Sequence, residues 1–496
     1  MSEKSITEAR LPYPSTPRRA AVLVFVFVAV AYVYFFNGGG WNQNAQFALT
    51  RAIVERGSFD ITGYRGTEDV GYVEGRIYAN KLPGPSLIAT VPYSILYHGE
   101  RLLGLDPVSP VLLSLNGYAC TVIVCAIPGA LVGMSLFLYG VVVARRKAGF
   151  AATVALLVCF GTPLFAYSTV FFRHVPTGAF LLLAFLLGSR EVGRPVAAGA
   201  FAGLAGLSSY LAMPVILFLA IRAAWQSGWR SAARFLGGGL PFALVLGWYQ
   251  LATTSSLLTI TAAENERFTT EGAFLGFLGL PSPGVLVRIL FSEHRGLLFL
   301  SPLLLLVVIG LWRLASERKM ADLLVVAGSI VWLLAFNASF NGWHGGWAIG
   351  PRYLVEGIPV AAVALLYLPR KRWIALTALL TGAVSLVMNF VATAVDPQPP
   401  LEILRPFREY LFPVLYGGIP WSPPGSGVVF VDHVNVNPVS LDGTLRRWAS
   451  FNLGELMVGP GNVLSVALVA IWIIFALTRC MGWWIREEME SQRVDG

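Results

Sequence analysis

Long apolar runs separated by short polar segments are the main pattern along this chain. Many of these runs extend for 16 to 20 residues without a charged side chain, which as a helix is enough to cross roughly 30 Å of hydrocarbon. Lipid offers no hydrogen-bond partner to a free backbone N–H or C=O group, so such a segment must be helical. The pattern therefore predicts an all-α polytopic membrane protein with about 11–12 transmembrane helices.

The apolar runs and the polar segments between them divide the chain into a bundle and its loops. We expect helices over 20–36, 110–143, 150–167, 177–188, 235–251, 296–311, 321–336, 353–368, 373–394 and 462–477. We also expect a hairpin of short helices over 195–224, broken around Ser208, Ser209 and Pro214, and a kink at Pro128. The first run has no small-residue cleavage site behind it, which favours an anchor over a removed signal peptide.

Three long loops and two tails complete this division. The predicted units are a tail (1–19), a bundle (20–394) with loops 37–107 and 256–294, a third loop (395–461), and a last helix with its tail (462–496). Residues 42–56 and 86–97 of the first loop are amphipathic, which is typical of helices that lie along the bilayer surface. The sequence shows no attached soluble domain, so we expect the chemistry in the large loops and the mouth of the bundle.

Composition supports the membrane assignment. Charged residues make up 13% of the chain, hydrophobic residues 56%, and the mean hydropathy is +0.66. Soluble domains carry about 25% charged residues. All four cysteines lie in apolar segments without a CxxC pair, which predicts neither a disulfide framework nor a zinc site.

The distribution of charge predicts an orientation and argues against a nucleic-acid partner. The net charge is +9, but 21 of the 36 Lys and Arg residues lie in one alternating set of short loops and tails. In the other set, acids outnumber basic residues. Basic residues in short loops mark the cytoplasmic face. We therefore expect a multi-pass protein of the cell (inner or plasma) membrane with both termini in the cytoplasm and the large loops outside.

The first outer loop contains the richest set of candidate chemical groups. Asp60, Glu68 and Asp69 are carboxylates that could take a proton from an acceptor hydroxyl, and Lys81 could hold a phosphate. Pro83 and Pro85 stiffen the chain after Lys81, near the depth of the lipid headgroups. The alternative interpretation is a solvated loop with weak surface ion pairs and a lysine that merely reaches toward the headgroups.

Other outer turns add cations, histidines and tryptophans. The candidate phosphate- or sugar-binding residues there are Arg173, His174, His294, Arg295, Trp343, His344, Trp347 and Arg352. The third loop adds Trp421, Asp432 and His433. An aromatic belt with interfacial ion clusters is the plain alternative at each turn, so the significance of these residues is that all lie on one side of the membrane.

Three short motifs resemble the GT-C superfamily of membrane glycosyltransferases, most closely its protein mannosyltransferase and aminoarabinose transferase branch. They are Tyr78-Ala79-Asn80-Lys81-Leu82-Pro83-Gly84, Phe172-Arg173-His174, and the stretch from Gly345-Gly346-Trp347 to Arg352-Tyr353. The resemblance implies a GT-C-like bundle with large extracytoplasmic loops. It also implies an enzyme, a hexosyl or pentosyl transferase, that moves a sugar from a polyprenyl-phosphate carrier to an extracytoplasmic lipid, glycan or protein with inversion.

The resemblance also implies roles for individual residues. Lys81, with Tyr78 beside it in the motif, matches the lysine that contacts the carrier phosphate, and Arg173 and Arg352 would stabilise the departing phosphate. The family often has an acid soon after the first span, where this chain has Asn42-Gln43-Asn44. The base would then be Asp69, then Asp60, with Glu68 and Glu55 behind. A divalent metal (Mg²⁺ or Mn²⁺) is compatible with the resemblance, although no ligand cluster is evident.

Two other classes remain as alternatives. A transporter or lipid flippase would show inverted repeats, paired broken helices and ionisable groups at the bilayer midplane. The sequence has one broken segment, no clear repeat, and spans almost free of charge. A non-catalytic protein with a GT-C-like fold is the third class, because the early acid is absent.

Overall fold

The computed structural model describes residues 17–64, 67–257, 259, 261, 265, 269–271, 273–417, 450–459 and 462–495. Helices dominate these residues and form a polytopic membrane bundle, as the apolar runs predicted. Helices long and apolar enough to cross a bilayer are Pro110–Val143, Trp229–Thr254, Met320–Ser339, Arg372–Val395 and Val463–Ser491. Shorter apolar helices are Ala148–Phe160, His174–Leu187, Pro195–Ser208, Ala212–Ser227 and Pro302–Ser316. The first helix, Pro17–Val33, and a mixed 3₁₀ and α segment over 352–367 complete the bundle.

Short helices and two small sheets lie outside these segments. The remaining helices are Trp41–Arg56, Gly84–Leu102, Leu164–Tyr167, Pro283–Phe291, Leu297–Leu300, Phe407–Leu411, Phe412–Gly417 and Glu455–Val458. The strands are β1 (Phe35–Asn37), β2 (Val70–Val73), β3 (Arg76–Ala79) and β4 (Ser450–Asn452). Both surface helices predicted in the first loop are present, and Gly84–Leu102 exposes Val91 and Ile95, as expected of a helix that lies on lipid.

The breaks in the helices follow from proline and glycine. The predicted hairpin is confirmed: one helix ends at Ser208 and the next begins at Ala212. Pro128 lacks an N–H group, and the helix that contains it accommodates it with a π-helical turn at Val122–Ala126.

Glycines bring two helix backbones into direct contact. A Cβ on Gly199 would lie 1.8 Å from the carbonyl oxygen of Phe235, and one on Gly238 would lie 2.1 Å from that of Val196. Only glycine allows this approach, so Pro195–Ser208 and Trp229–Thr254 pack as membrane helices do, through small residues.

The two sheets join loops that are distant in sequence. β1 pairs antiparallel with β4, which ties the exit of the first helix to the end of the third loop. β2 and β3 form a hairpin whose turn residues Glu74 and Gly75 have positive φ values of 48° and 76°, typical of a tight type I′ turn. This hairpin brings Asp69, just before β2, next to Asn80, just after β3: the Asn80 N–H donates to the Asp69 carbonyl oxygen at 3.2 Å.

A buried ion pair lies inside the bundle, in contrast to the nearly charge-free spans expected. Arg222 Nε lies 2.6 Å from Asp322 Oδ1, and the Arg222 guanidinium also donates to the Phe185 carbonyl oxygen at 3.0 Å. The Tyr139 hydroxyl donates to Asp322 Oδ2 at 3.2 Å. Four helices therefore meet at one pair of opposite charges.

Candidate functional site

The first-loop hairpin positions the central pair of the candidate site. Lys81 Nζ lies 3.6 Å from Asp69 Oδ2 and donates a hydrogen bond to Asn80 Oδ1 at 2.6 Å. Lys81 is followed by Gly84, where an added Cβ would lie 2.8 Å from the Cα of Ser208. The hairpin exit is therefore pressed against the break between the helices that end at Ser208 and begin at Ala212, and Lys81 lies beside that break.

Two arginines from other turns converge on the same region. Arg173, just before the helix His174–Leu187, lies with its Nε 3.4 Å from Glu356 Oε1. Arg352 donates to the Tyr353 hydroxyl at 3.1 Å, and its guanidinium lies 5.1 Å from the centre of the Tyr353 ring and 5.7 Å from that of Phe172. Aromatic faces stabilise a cation in this range. Arg352 makes no ion pair with any residue that the structure describes.

These groups line one large cavity with a volume of about 1270 Å³. The sequence-predicted residues in its wall are Asp69, Lys81, Arg173, His344, Trp347 and Arg352. They come from three segments of the chain, the first loop, the turn before His174, and the turn between Met320–Ser339 and the segment 352–367. The structure thus brings together the three cations that the motifs singled out and one of the candidate acids.

One wall of this cavity is apolar. Residues of that wall come from the start of Ala212–Ser227, the end of Met320–Ser339 and the second loop: Leu211, Met213, Trp332, Phe336, Phe340, Leu275, Phe277 and Leu278. The cavity therefore has a cationic pole and an apolar wall, which suits an amphipathic ligand with an anionic head.

The electrostatics of the pole show that it lacks negative charge. Burial lowers the pKa of Lys81 from 10.5 to about 8, because its ammonium loses water, and the nearby Arg173 and Arg352 lower it further, against the opposing effect of Asp69. A bound anion would reverse this effect by stabilising the charged form.

A buried arginine holds the glycine turn that forms another part of the wall. Arg295 is fully buried and donates to the carbonyl oxygens of His344 and Gly346 at 2.8 Å each, and to that of His294 at 2.9 Å. Gly345 and Gly346 have φ values of 74° and 67°, which favour glycine. Nδ1 of His344 accepts from the Gly346 N–H at 2.9 Å, so its ring proton lies on Nε2. Burial lowers the pKa of His344, and it lines the cavity as a neutral ring.

The other sequence-predicted residues lie outside the cavity wall. Asp60 accepts from the Thr62 N–H at 2.7 Å, and Tyr78 is buried in the hairpin opposite Gly71. Glu68 directly precedes Asp69 but does not line the cavity. Glu55 accepts from the Tyr93 hydroxyl at 2.6 Å and from Arg51 at 2.8 Å, which fastens one surface helix to the other.

His174, His294, Arg295 and Trp343 also have positions behind the wall. His174 was expected to face the outer cavity, but its Nδ1 lies 2.8 Å from Glu356 Oε1 and the side chain is buried among aromatic rings. His294 Nε2 contacts the Leu401 carbonyl oxygen at 3.1 Å, and Arg288 lies over the Trp343 ring at 5.8 Å. Trp421, Asp432 and His433 lie outside the described residues.

Two polar residues in the wall were not identified as candidates from the sequence. Gln43 is fully buried, and Asp396 is 3% exposed. Asp396 follows the helix Arg372–Val395, where Oδ1 accepts from the Gln398 N–H at 2.7 Å, and burial raises its pKa to about 7. The order Asp396-Pro397-Gln398 directly after an apolar span is a signal that could have found it.

No cluster typical of a metal site is found in the part of the chain that the structure describes: no three His, Cys, Asp or Glu side chains come together there. No step below therefore depends on a metal, and the expected Mg²⁺ or Mn²⁺ remains a prediction.

No protein-family model matches the sequence, and no curated protein matches it. Among solved structures, the chain is similar to the apo oligosaccharyltransferase of Archaeoglobus fulgidus at 13% identity and a TM-score of 0.43, over 76% of this chain and 56% of that one. It is also similar to ArnT of Cupriavidus metallidurans over 94% of this chain. The apo ArnT structure gives 16% identity, a TM-score of 0.46 and 77% coverage of that chain.

The ArnT structure bound to undecaprenyl phosphate gives 15% identity, a TM-score of 0.43 and 76% coverage of that chain. ArnT and the oligosaccharyltransferase are GT-C proteins, the superfamily that the sequence motifs resemble. The chain spans just over half the length of the oligosaccharyltransferase. Identities and TM-scores are low in all three comparisons, so the function is inferred from the site itself.

Proposed function

We propose that this protein is a glycosyltransferase that moves a sugar from a polyprenyl-phosphate carrier to an acceptor outside the cytoplasm. The observation that carries the proposal is the meeting of Lys81, Arg173 and Arg352 with the Asp69 carboxylate in one cavity that also has an apolar wall. In this proposal the cavity opens on the outer side of the membrane and both termini lie in the cytoplasm.

The cationic pole is suited to a phosphate that carries a leaving sugar. Asp69 balances Lys81 and Glu356 balances Arg173, whereas Arg352 has no ion-pair partner among the described residues. Guanidinium groups bind phosphate oxygens through two parallel hydrogen bonds, and a lysine acts as a point charge. Held together, the three groups would stabilise negative charge that develops on the leaving phosphate.

The apolar wall would receive the first isoprenoid units of the carrier. Phe336, Phe340 and Trp332 offer flat hydrocarbon surface next to Leu211 and Met213. Sites for small ligands usually measure about 300–1,000 Å³, and this cavity of about 1270 Å³ leaves room for a sugar beside a lipid phosphate. Burial of each methylene group of the carrier would contribute about 0.8 kcal/mol.

The proposed reaction is a single displacement at the anomeric carbon. The acceptor oxygen forms the new bond to that carbon as the bond from the carbon to the phosphate oxygen breaks, which inverts the configuration. The acceptor proton passes to the Asp69 carboxylate, and the electron pair leaves with the polyprenyl phosphate. In this scheme, Lys81 turns from Asp69 to the phosphate when the carrier binds, which frees the carboxylate to act as a base.

Transfer assays with matched variants test the proposal. The purified protein in nanodiscs is mixed with a panel of radiolabelled polyprenyl-phosphate pentoses and hexoses and with membrane lipid, glycan and peptide acceptors. We expect Asp69→Asn to slow transfer by about 10²–10⁴-fold, the usual contribution of a general base. Asp60→Asn is the matched control, because Asp60 lies in the same loop but outside the cavity.

The same assay separates the other classes. Unchanged transfer in both Asp69→Asn and Lys81→Ala would remove these residues from the site. Movement of the lipid between leaflets without any transfer by the wild-type protein would identify a flippase, and lipid binding with neither activity would identify a non-catalytic protein.

A further inference from the structure

The Gln43 side chain is the least satisfied polar group in the cavity wall. It is 0% exposed, and neither its amide nitrogen nor its amide oxygen has a hydrogen-bond partner in the described part of the chain. Gln46, one turn later on the same helix, donates to Asn42 and does not line the cavity. A buried amide left without partners costs stability, so its presence needs an explanation.

Asp396 repeats this arrangement from a different loop. Its Oδ1 is held by the Gln398 N–H, while Oδ2 is buried without a hydrogen bond of good geometry to any described residue. The Tyr410 hydroxyl is close enough to lower the pKa of this carboxyl, yet it too makes no such bond. Gln43 and Asp396 both line the cavity, so each offers it an unused polar atom.

The backbone at Gly40 joins these two positions. A Cβ on Gly40 would lie 2.5 Å from Gln43 Oε1 and 3.0 Å from Gln398 Oε1. The φ of Gly40 is also +93°, which favours glycine. The first and third loops therefore meet at Gly40, and the Trp41 and Trp347 side chains also line the cavity.

The chemistry of this corner differs from that of the cationic pole. A primary amide offers donors and an acceptor, and a carboxyl offers acceptors, so the pair can bind neighbouring hydroxyl groups that both donate and accept. A carboxyl without a paired cation is poorly suited to a phosphate. Indole faces are suited to the apolar face of a sugar ring.

We infer that Gln43 and Asp396 form a subsite that binds the hydroxyl groups of a sugar ring, separate from the phosphate pole at Lys81. Because a ring that arrives on the carrier presupposes carrier binding, this part of the inference rests on the proposed function. A ring that belongs to the acceptor would use the same hydrogen bonds, and the experiment below separates the two sources.

Binding measurements on the full-length protein in nanodiscs test the subsite. The probes are bare undecaprenyl phosphate, undecaprenyl phosphate linked to a pentose or a hexose, and lipid-free methyl glycosides added at saturating undecaprenyl phosphate. We expect Gln43→Leu and Asp396→Asn each to weaken binding of a ring by about 3- to 10-fold, the range for loss of a hydrogen bond, and to leave bare undecaprenyl phosphate within twofold of wild type.

The pattern of losses decides between the outcomes. A loss with the sugar-linked lipid alone supports the subsite and places the ring on the carrier, whereas a loss with the methyl glycosides alone supports it and places the ring on the acceptor. Equal weakening of bare and sugar-linked lipid, or no change with any ring, overturns the inference. A wild-type protein that binds no undecaprenyl phosphate would refute the proposed function, and the methyl glycosides alone, added without lipid, would still test the subsite.

Thermal unfolding separates binding from folding. Gln43→Leu should not lower the Tm, because the amide has no hydrogen bond to lose and leucine has a similar size. Gln46→Leu is the matched control: it should lower the Tm, since Asn42 loses its partner, without changing ring binding. A lower Tm in Gln43→Leu together with unchanged ring binding would mean that Gln43 is structural.

Discussion

Replacement of Lys81 by alanine tests the phosphate pole most directly. The ammonium lies 3.6 Å from Asp69, and Arg173 and Arg352 are its nearest cationic neighbours in the cavity wall. In the free protein, these surroundings disfavour its charged form. Binding of an anion should therefore gain the contact with phosphate and also relieve part of this penalty.

The size of the effect follows from the pKa of Lys81. Its fall from 10.5 to about 8 corresponds to about 3 kcal/mol against the charged form, because each tenfold change in proton affinity is worth ~1.4 kcal/mol. A hydrogen bond to a charged group contributes about 1.5–3 kcal/mol. We therefore expect Lys81→Ala to weaken binding of undecaprenyl phosphate by about 10- to 150-fold.

Equilibrium binding of undecaprenyl phosphate, followed by native mass spectrometry, gives the measurement. Lys147→Ala is the matched control, since Lys147 is also a lysine in an ion pair, 3.0 Å from Glu488, but does not line the cavity. Lys81→Arg should retain most of the affinity. A change of less than twofold in Lys81→Ala, with a Tm equal to that of wild type, would refute a phosphate site at Lys81.

Three further predictions concern pH, stability and orientation. Lys81 loses its proton as the pH rises through about 8, so affinity for undecaprenyl phosphate should fall between pH 7 and 9; in Lys81→Arg, titrated in the same way, it should stay flat. Arg295→Met leaves three buried carbonyl oxygens without their donor, which should cost about 3 kcal/mol and lower the Tm in differential scanning calorimetry. Cysteine labelling of intact cells should modify Tyr72→Cys, at the exposed hairpin, but not Arg318→Cys in a predicted cytoplasmic loop. Labelling of the reverse pattern would place the cavity inside the cell, and the four natural cysteines are buried and should stay silent.

The helices could be predicted because hydrocarbon imposes a local rule. An uncharged run must satisfy its own backbone, so the runs around Pro110–Val143 and Arg372–Val395 were recognisable without any partner. Lys81 and Asp69 were also accessible to prediction, since a short hairpin separates them in sequence. The motif around Arg352 placed a third cation in the same interpretation.

The remainder of the site depends on contacts between distant residues. Nothing near Gln43 in sequence indicates that Gln398 will approach it, and nothing near β1 indicates that β4 will pair with it. His174 looked like Arg173, its neighbour, yet the start of the helix directs it to Glu356. Arg222 was counted with the cytoplasmic loops because its partner, Asp322, lies in another helix.

The pairing of Arg222 with Asp322 limits how the bundle can move. Separation of Ala212–Ser227 from Met320–Ser339 would expose two opposite charges to hydrocarbon, at a cost of several kcal/mol for each ion. Tyr139 and the Phe185 carbonyl oxygen bind the same pair from two other helices. Alternating access by rocking across this seam would break all of these contacts in every cycle, whereas a stationary chamber, which a transferase needs, keeps them intact.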